Sequence, residues 1–202
     1  MAKQAYHHGD LRRALLVAAA EVIAEQGAAG LSLRDLARRA GVSHAAPAHH
    51  FGDKAGLLTA LATEGYDLLA AELGDEWAAT HNFLEQGVAY VRFAVRHRSH
   101  FAVMFRPDLY HAGDPNLAAA RNRASAALYR GLPHLPGDAA ARPQDSPGAH
   151  QPVELREAGL AAWSIAHGFA TLRLSGAFPD LAGDPDRTAR AVLGHLSPPR
   201  VG

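Results

Sequence analysis

The sequence predicts an all-α fold: an N-terminal three-helix bundle with a helix-turn-helix, followed by a larger helical body. Three observations carry this. Apolar residues recur at helical spacing, from Leu11, Leu15, Ala19, Val22 and Ile23 near the start to Ala189, Val192, Leu193 and Leu196 near the end. No stretch alternates apolar and polar residues over the length of a strand. Turn-forming residues fall between the periodic runs, at Gly41, at Gly52 and throughout residues 133–152.

The elements follow in order. Asp10 is placed to cap the opening helix, with Tyr6-His7-His8 as an arm ahead of it. Ser32 would cap a second helix, whose first turn holds Asp35, where a carboxylate suits the helix dipole. Leu33, Leu36, Ala37 and Ala40 form its apolar face, and Arg34, Arg38 and Arg39 point elsewhere. Gly41 fits the left-handed position that ends a helix, and Ser43 is a cap for a third helix over residues 44–50. Pro47 would be its fourth residue, where a missing N–H removes only the first intrahelical bond. After Gly52, Asp53 would cap a long helix toward Trp77, carrying Leu57, Leu58, Leu61, Tyr66, Leu68, Leu69 and Leu73.

Residues 81–110 give a helix and a shorter companion. Phe83, Gly87, Val88, Val91 and Val95 mark one face, with Tyr90 and Phe93 beside it and Phe101, Met104 and Phe105 following. A helix over 117–132 precedes residues 133–152, whose Pro, Gly and Asp content reads as an exposed loop. A long apolar helix over 153–178 follows, and Asp184-Pro185 opens a last one to residue 196 with a cap and an N1 proline. The expected division is a head of residues 1–53 and a body of residues 54–202.

Composition narrows the function. The formal net charge is zero, so binding to a polyanion must use a local patch, and residues 1–60 carry a small basic excess. Without cysteine there is no disulfide, thiolate metal site or cysteine nucleophile. Thirteen histidines show neither His-x3-His nor His-Glu-x-x-His spacing, so no metal or other cofactor is expected. No G-x-S-x-G elbow or P-loop is present, and no apolar run reaches the roughly 20 residues needed to span a bilayer. The N-terminus lacks an apolar core of signal-peptide length, so the expected location is the cytoplasm.

Helix, short glycine turn and helix is the geometry that lays a helix into the DNA major groove. From His44 to His50 the third helix has almost no core-forming residue. Small side chains permit close approach to a groove, and the imidazoles can bond base edges or phosphates. Lys54 would lie in the first turn of the next helix, where a phosphate offsets the unfavourable dipole. The candidate DNA-contacting residues are Ser32, Ser43, His44, Ala45, Ala46, His49, His50 and Lys54.

The helix ending AEQG at Gly27, the LSLRDLARRAGVS block from Leu31, and Phe51, Gly52-Asp53-Lys54 and Leu57-Leu58 resemble the N-terminal domain of TetR-family transcriptional regulators. The family places a Tyr two residues before its His-Phe pair, reaching a phosphate; here that position is Ala48. In the second half, Trp163, His167 and Gly168 resemble a subgroup of the family named for a Trp-His-Gly motif. The resemblance implies a C-terminal domain for ligand binding and dimerisation and a ligand-responsive repressor without enzymatic activity. Its operator would be palindromic double-stranded DNA, bound by a homodimer formed through helices near 153–178 and 185–196. A small-molecule effector would lie against Tyr90, Phe93, Phe101, Met104, Phe105, Trp163 and His167. Two alternatives stand beside it: Trp163 and His167 as ordinary core residues, or a helical ligand-binding protein or small enzyme with a non-functional helix-turn-helix.

Overall fold

A computed structural model describes residues 8–132, 153–179 and 183–195; the Tyr6-His7 part of the arm, the 133–152 loop and Leu196 lie outside them. Among the described residues nine α-helices run in order: α1 (His8–Gln26), α2 (Leu33–Arg39), α3 (Ala46–Phe51), α4 (Lys54–Thr80), α5 (Phe83–Arg96), α6 (Arg98–Met104), α7 (Pro115–Tyr129), α8 (Val153–Leu174) and α9 (Pro185–Gly194), with a 3-10 turn at Ala28–Gly30. The same residues contain no strand. No described helix is long and apolar enough to cross a membrane.

The chain forms two compact units, Met1–Asp67 with His97–Arg121, and Leu68–Arg96 with Asn122–Gly202. In the first, α1 packs on the 3-10 turn, α2 and α6, and α2 packs on α3. Its core holds the predicted stripe of Leu15, Ala19, Val22 and Ile23, together with Leu36, Ala37, Leu57, Leu58 and Leu61. Ser99 Oγ donates to the Ala20 carbonyl at 2.6 Å, tying α6 to α1. Tyr66 and Tyr110 both donate to the Met104 carbonyl, at 2.8 and 2.9 Å, and close the end of α6. In the second unit α5 is the central helix, packed on α8 and α9. Val88, Tyr90, Val91 and Phe93 are buried there with Phe169, Ala170, Ala189 and Leu193. Arg92 bridges Glu76 at 2.6 Å and Asp186 at 2.8 Å, joining α4, α5 and α9.

Several boundaries differ from the sequence expectation, each for a local reason. Asp10 lies inside α1, which begins at His8. Ser32 has the extended backbone of an N-cap, but its hydroxyl makes no capping bond. Ser43 does not cap α3: the N-cap is Ala45 and the helix starts at Ala46. A start at Ser43 would need Pro47 to donate to the Ser43 carbonyl, and proline has no N–H. Ala46 N bonds that carbonyl instead, in a turn at 3.0 Å, so Pro47 sits in the first turn of α3. At the other end α8 stops at Leu174, short of Phe178. Gly176 takes φ 73°, and its N and that of Ala177 bond back to Arg173 and Leu172. The Asp53 and Asp184 caps form as expected, with Oδ1 accepting from Gly56 N at 2.7 Å and Asp186 N at 3.0 Å.

Candidate nucleic-acid interface and ligand site

The turn between α2 and α3 is a Schellman stop. Gly41 has φ 66°, Val42 N bonds the Ala37 carbonyl at 3.0 Å, and Gly41 N bonds that of Arg38 at 3.3 Å. This closes the end of α2 and turns the chain sharply into α3. Pro47 is buried and Phe51, one turn on, half-buried, so this face is the inner side of α3. His44, Ala45, Ala48 and His49 are exposed; Ala46 and His50 are half-buried at the sides. Ala45 and Ala48 leave this outward face open to close approach by a groove, and the His44 and His49 imidazoles lie exposed beside them.

The charged groups around α3 are mostly committed. Arg39 pairs with Glu25 at 2.9 Å, lowering the carboxyl below its ordinary pKa through that bond. Arg38 lies 3.6 Å from Asp35. Lys54 Nζ donates to the Ala29 carbonyl at 3.1 Å, anchoring the start of α4 to the 3-10 turn. Asp53 also receives His111 Nε2 at 3.1 Å, and His111 N bonds Thr59 Oγ1 at 2.9 Å, so the loop after α6 is fastened to the N-terminus of α4. One contact could not be read from spacing: the Arg12 guanidinium of α1 lies over the Phe51 ring, 5.3 Å from its centroid.

The residues expected around an effector fall into two clusters. Phe101, Met104 and Phe105 belong to the first unit, where Phe105 meets Phe101 and Tyr66 at ring-centroid distances of 5.2 and 5.9 Å. Tyr90, Phe93, Trp163 and His167 belong to the second. There the Tyr90 hydroxyl is the hub: Trp163 Nε1 donates to it at 3.1 Å, and His167 Nδ1 lies 2.8 Å away. Having accepted the indole proton, the hydroxyl can give its own to Nδ1, which places the imidazole hydrogen on Nε2. Burial lowers the His167 pKa below 6.5, so the ring is neutral at pH 7. The sequence set Tyr90 beside Trp163 and His167 in the expected effector site; that its hydroxyl bonds both of them shows only when α5 meets α8.

This has a pH consequence. The unfolded chain protonates His167 near its ordinary value of 6.5, and the folded chain only at lower pH. Between the two the unfolded state holds more protons, so stability is complete above about pH 6.5 and declines as pH falls through this window. In urea unfolding, the midpoint of the native protein should fall more between neutral pH and about pH 5 than that of His167→Gln. Equal slopes for the two proteins would show that His167 titrates as it does unfolded.

Residues 15–61 match the family model described as bacterial regulatory proteins, tetR family. Residues 83–196 match that of the tetracyclin repressor-like C-terminal domain. A protein of unknown function from Rhodococcus sp. RHA1 is 34% identical, with 96% of this chain and 95% of that one covered and a TM-score of 0.73. PfmR, a TetR family transcriptional regulator from Thermus thermophilus, is 23% identical over 91% of this chain and 96% of its own, with a TM-score of 0.63. NalD, the secondary repressor of the MexAB-OprM multidrug efflux pump in Pseudomonas aeruginosa, is 22% identical over 93% and 94%, with a TM-score of 0.56. At these identities the last two share the fold. Among curated proteins none matches the chain.

Proposed function

The chain belongs to the TetR family of transcriptional regulators, and from that premise we propose that it is a ligand-responsive repressor binding a near-palindromic operator as a cytoplasmic homodimer. The observation that carries this reading is the outer side of α3, presented by the Gly41 stop and lined by exposed small residues and imidazoles with no apolar bulk. In the bound state Ala45 and Ala48 allow close approach, while His44 and His49 reach base edges. Ser32, Ser43 and Lys54 take phosphates, with Ala46 and His50 flanking the groove. Two such helices read half-sites about 34–36 Å apart, or a multiple of that.

The second copy docks on α8 and α9. On α8, Leu160, Ile165 and Leu172 are exposed at 51%, 37% and 46%, and a Cβ on Gly168 would meet nothing within 4 Å. The effector is taken near the Trp163–Tyr90–His167 hub, with Phe93 as apolar wall; Phe101, Met104 and Phe105 act from the first unit by shaping its core. Because α4 is unbroken from Lys54 to Thr80, it is the covalent route by which a signal reaches α3. The effector shifts the protein only by its differential affinity for two states, ordinarily about 1–3 kcal/mol. His167 is a binding residue in this reading, and no catalytic step is assigned to it.

The test compares two variants on duplexes of different sequence. Lys54→Ala should weaken binding to all sequences alike, whereas His49→Ala should change which sequences are preferred. If both leave binding and preference untouched, α3 is not the reading helix.

A further inference from the structure

We propose that Arg12 is a phosphate clamp of the DNA interface, held at the side of the recognition helix by the ring of Phe51. This rests on the reading that α3 enters a groove of duplex DNA. Phe51 is the last residue of α3 and points with Pro47 toward the core, so its ring is fixed. Arg12, on α1, is exposed and covers that ring at 5.3 Å. The cation–π contact restrains the guanidinium beside the ring, and because the side chain is exposed its N–H donors remain open to a planar, bidentate oxyanion acceptor.

Several cations of the first unit are already engaged. Arg39 is taken by Glu25 and Arg106 by Asp108 in a two-bonded pair, while Lys54, with one of its three donors on the Ala29 carbonyl, keeps two for a phosphate. Glu64 is the carboxylate whose field reaches Arg12, but it is engaged by His100 at 3.3 Å, and that bond holds its pKa down. Among the described residues Arg12, like Arg13, Arg34 and Arg98, has no hydrogen bond and no ion pair; what sets it apart is its place over Phe51. Its fixed contact is with the recognition helix itself. Phosphodiester groups line both edges of a groove, so a cation beside an inserted helix meets the backbone, not the bases. The neighbouring exposed position, Ala48, supplies neither charge nor hydroxyl.

The experiment uses the full chain and a fluorescently labelled random-sequence duplex, with binding measured across a salt series well below each variant's thermal midpoint. The slope of log affinity against log salt counts the phosphates neutralised, whatever the variant's stability. Arg12→Gln should reduce that slope by about 0.9 for each protomer bound. Affinity should drop about tenfold for all sequences, with base preference unchanged. Arg12→Lys should keep the slope and lose part of the affinity, because an ammonium does not stack and fork as a guanidinium does. An unchanged slope in Arg12→Gln, with native binding intact, overturns the clamp alone. Absence of salt-dependent binding by the native chain overturns the DNA reading itself, and the clamp with it.

Discussion

Gly41→Val is expected to remove sequence-specific DNA binding, the largest single-residue effect on function in this protein. At φ 66° the residue sits in the left-handed region, where a Cβ costs about 1–2 kcal/mol and a β-branched side chain more. A Cβ there would meet nothing within 4 Å, so the penalty is one of backbone conformation and not of collision. The backbone relieves it by leaving the Schellman turn, which breaks the Val42–Ala37 and Gly41–Arg38 bonds and swings α3 away from α2. A side chain withdrawn from its base edge forfeits about 1–3 kcal/mol, so withdrawing two lowers specific affinity about a hundredfold or more. Gly41→Asn, which tolerates the left-handed region, should retain most of the binding. The pair separates conformation from side-chain bulk. Equal loss in both, measured by fluorescence anisotropy on the preferred duplex, would contradict this explanation.

The second large effect concerns α8. Ile165→Glu combined with Leu172→Glu should leave each protomer folded, since both side chains are more than a third exposed. The same pair places carboxylates in the centre of the proposed dimer seam, where burial without partners is expensive. We expect a monomer in sedimentation velocity and an operator affinity lower by about 10²–10⁴, the ordinary gain from joining two weak half-site contacts. Gly168→Phe offers an independent route, because its Cβ has open space in the single chain but would stand between two closely packed helices. A stable dimer in both variants would place the interface elsewhere.

How far the sequence could be read depended on whether the deciding contact was local. The all-α class, the Gly41 stop and the Asp53 and Asp184 caps depend on residues within one turn of each other, and all were legible. Ser43 misled because its capping signal is real in isolation; the missing N–H of Pro47, four residues on, removes the bond that would have started the helix there. The apolar run past Leu174 hid the end of α8, since a Gly176 stop looks like any helical glycine until its φ is known. Periodicity marked Tyr90, Phe101 and Phe105 as inward-facing. It could not say that Phe105 meets Tyr66 while Tyr90 meets Trp163 and His167. Arg12 over Phe51 joins two helices far apart in sequence, and nothing short of the packing of α1 on the helix-turn-helix shows it.

The central claim is that α3 reads DNA as one of a pair. Its most direct measurement is selection of duplexes from a random library by the full-length chain at low salt, followed by sequencing. We expect enrichment of a near-palindrome whose half-sites lie about 34–36 Å apart, or a multiple of that, and its loss in Gly41→Val. Enrichment of no palindrome, or one retained in Gly41→Val, would contradict the claim.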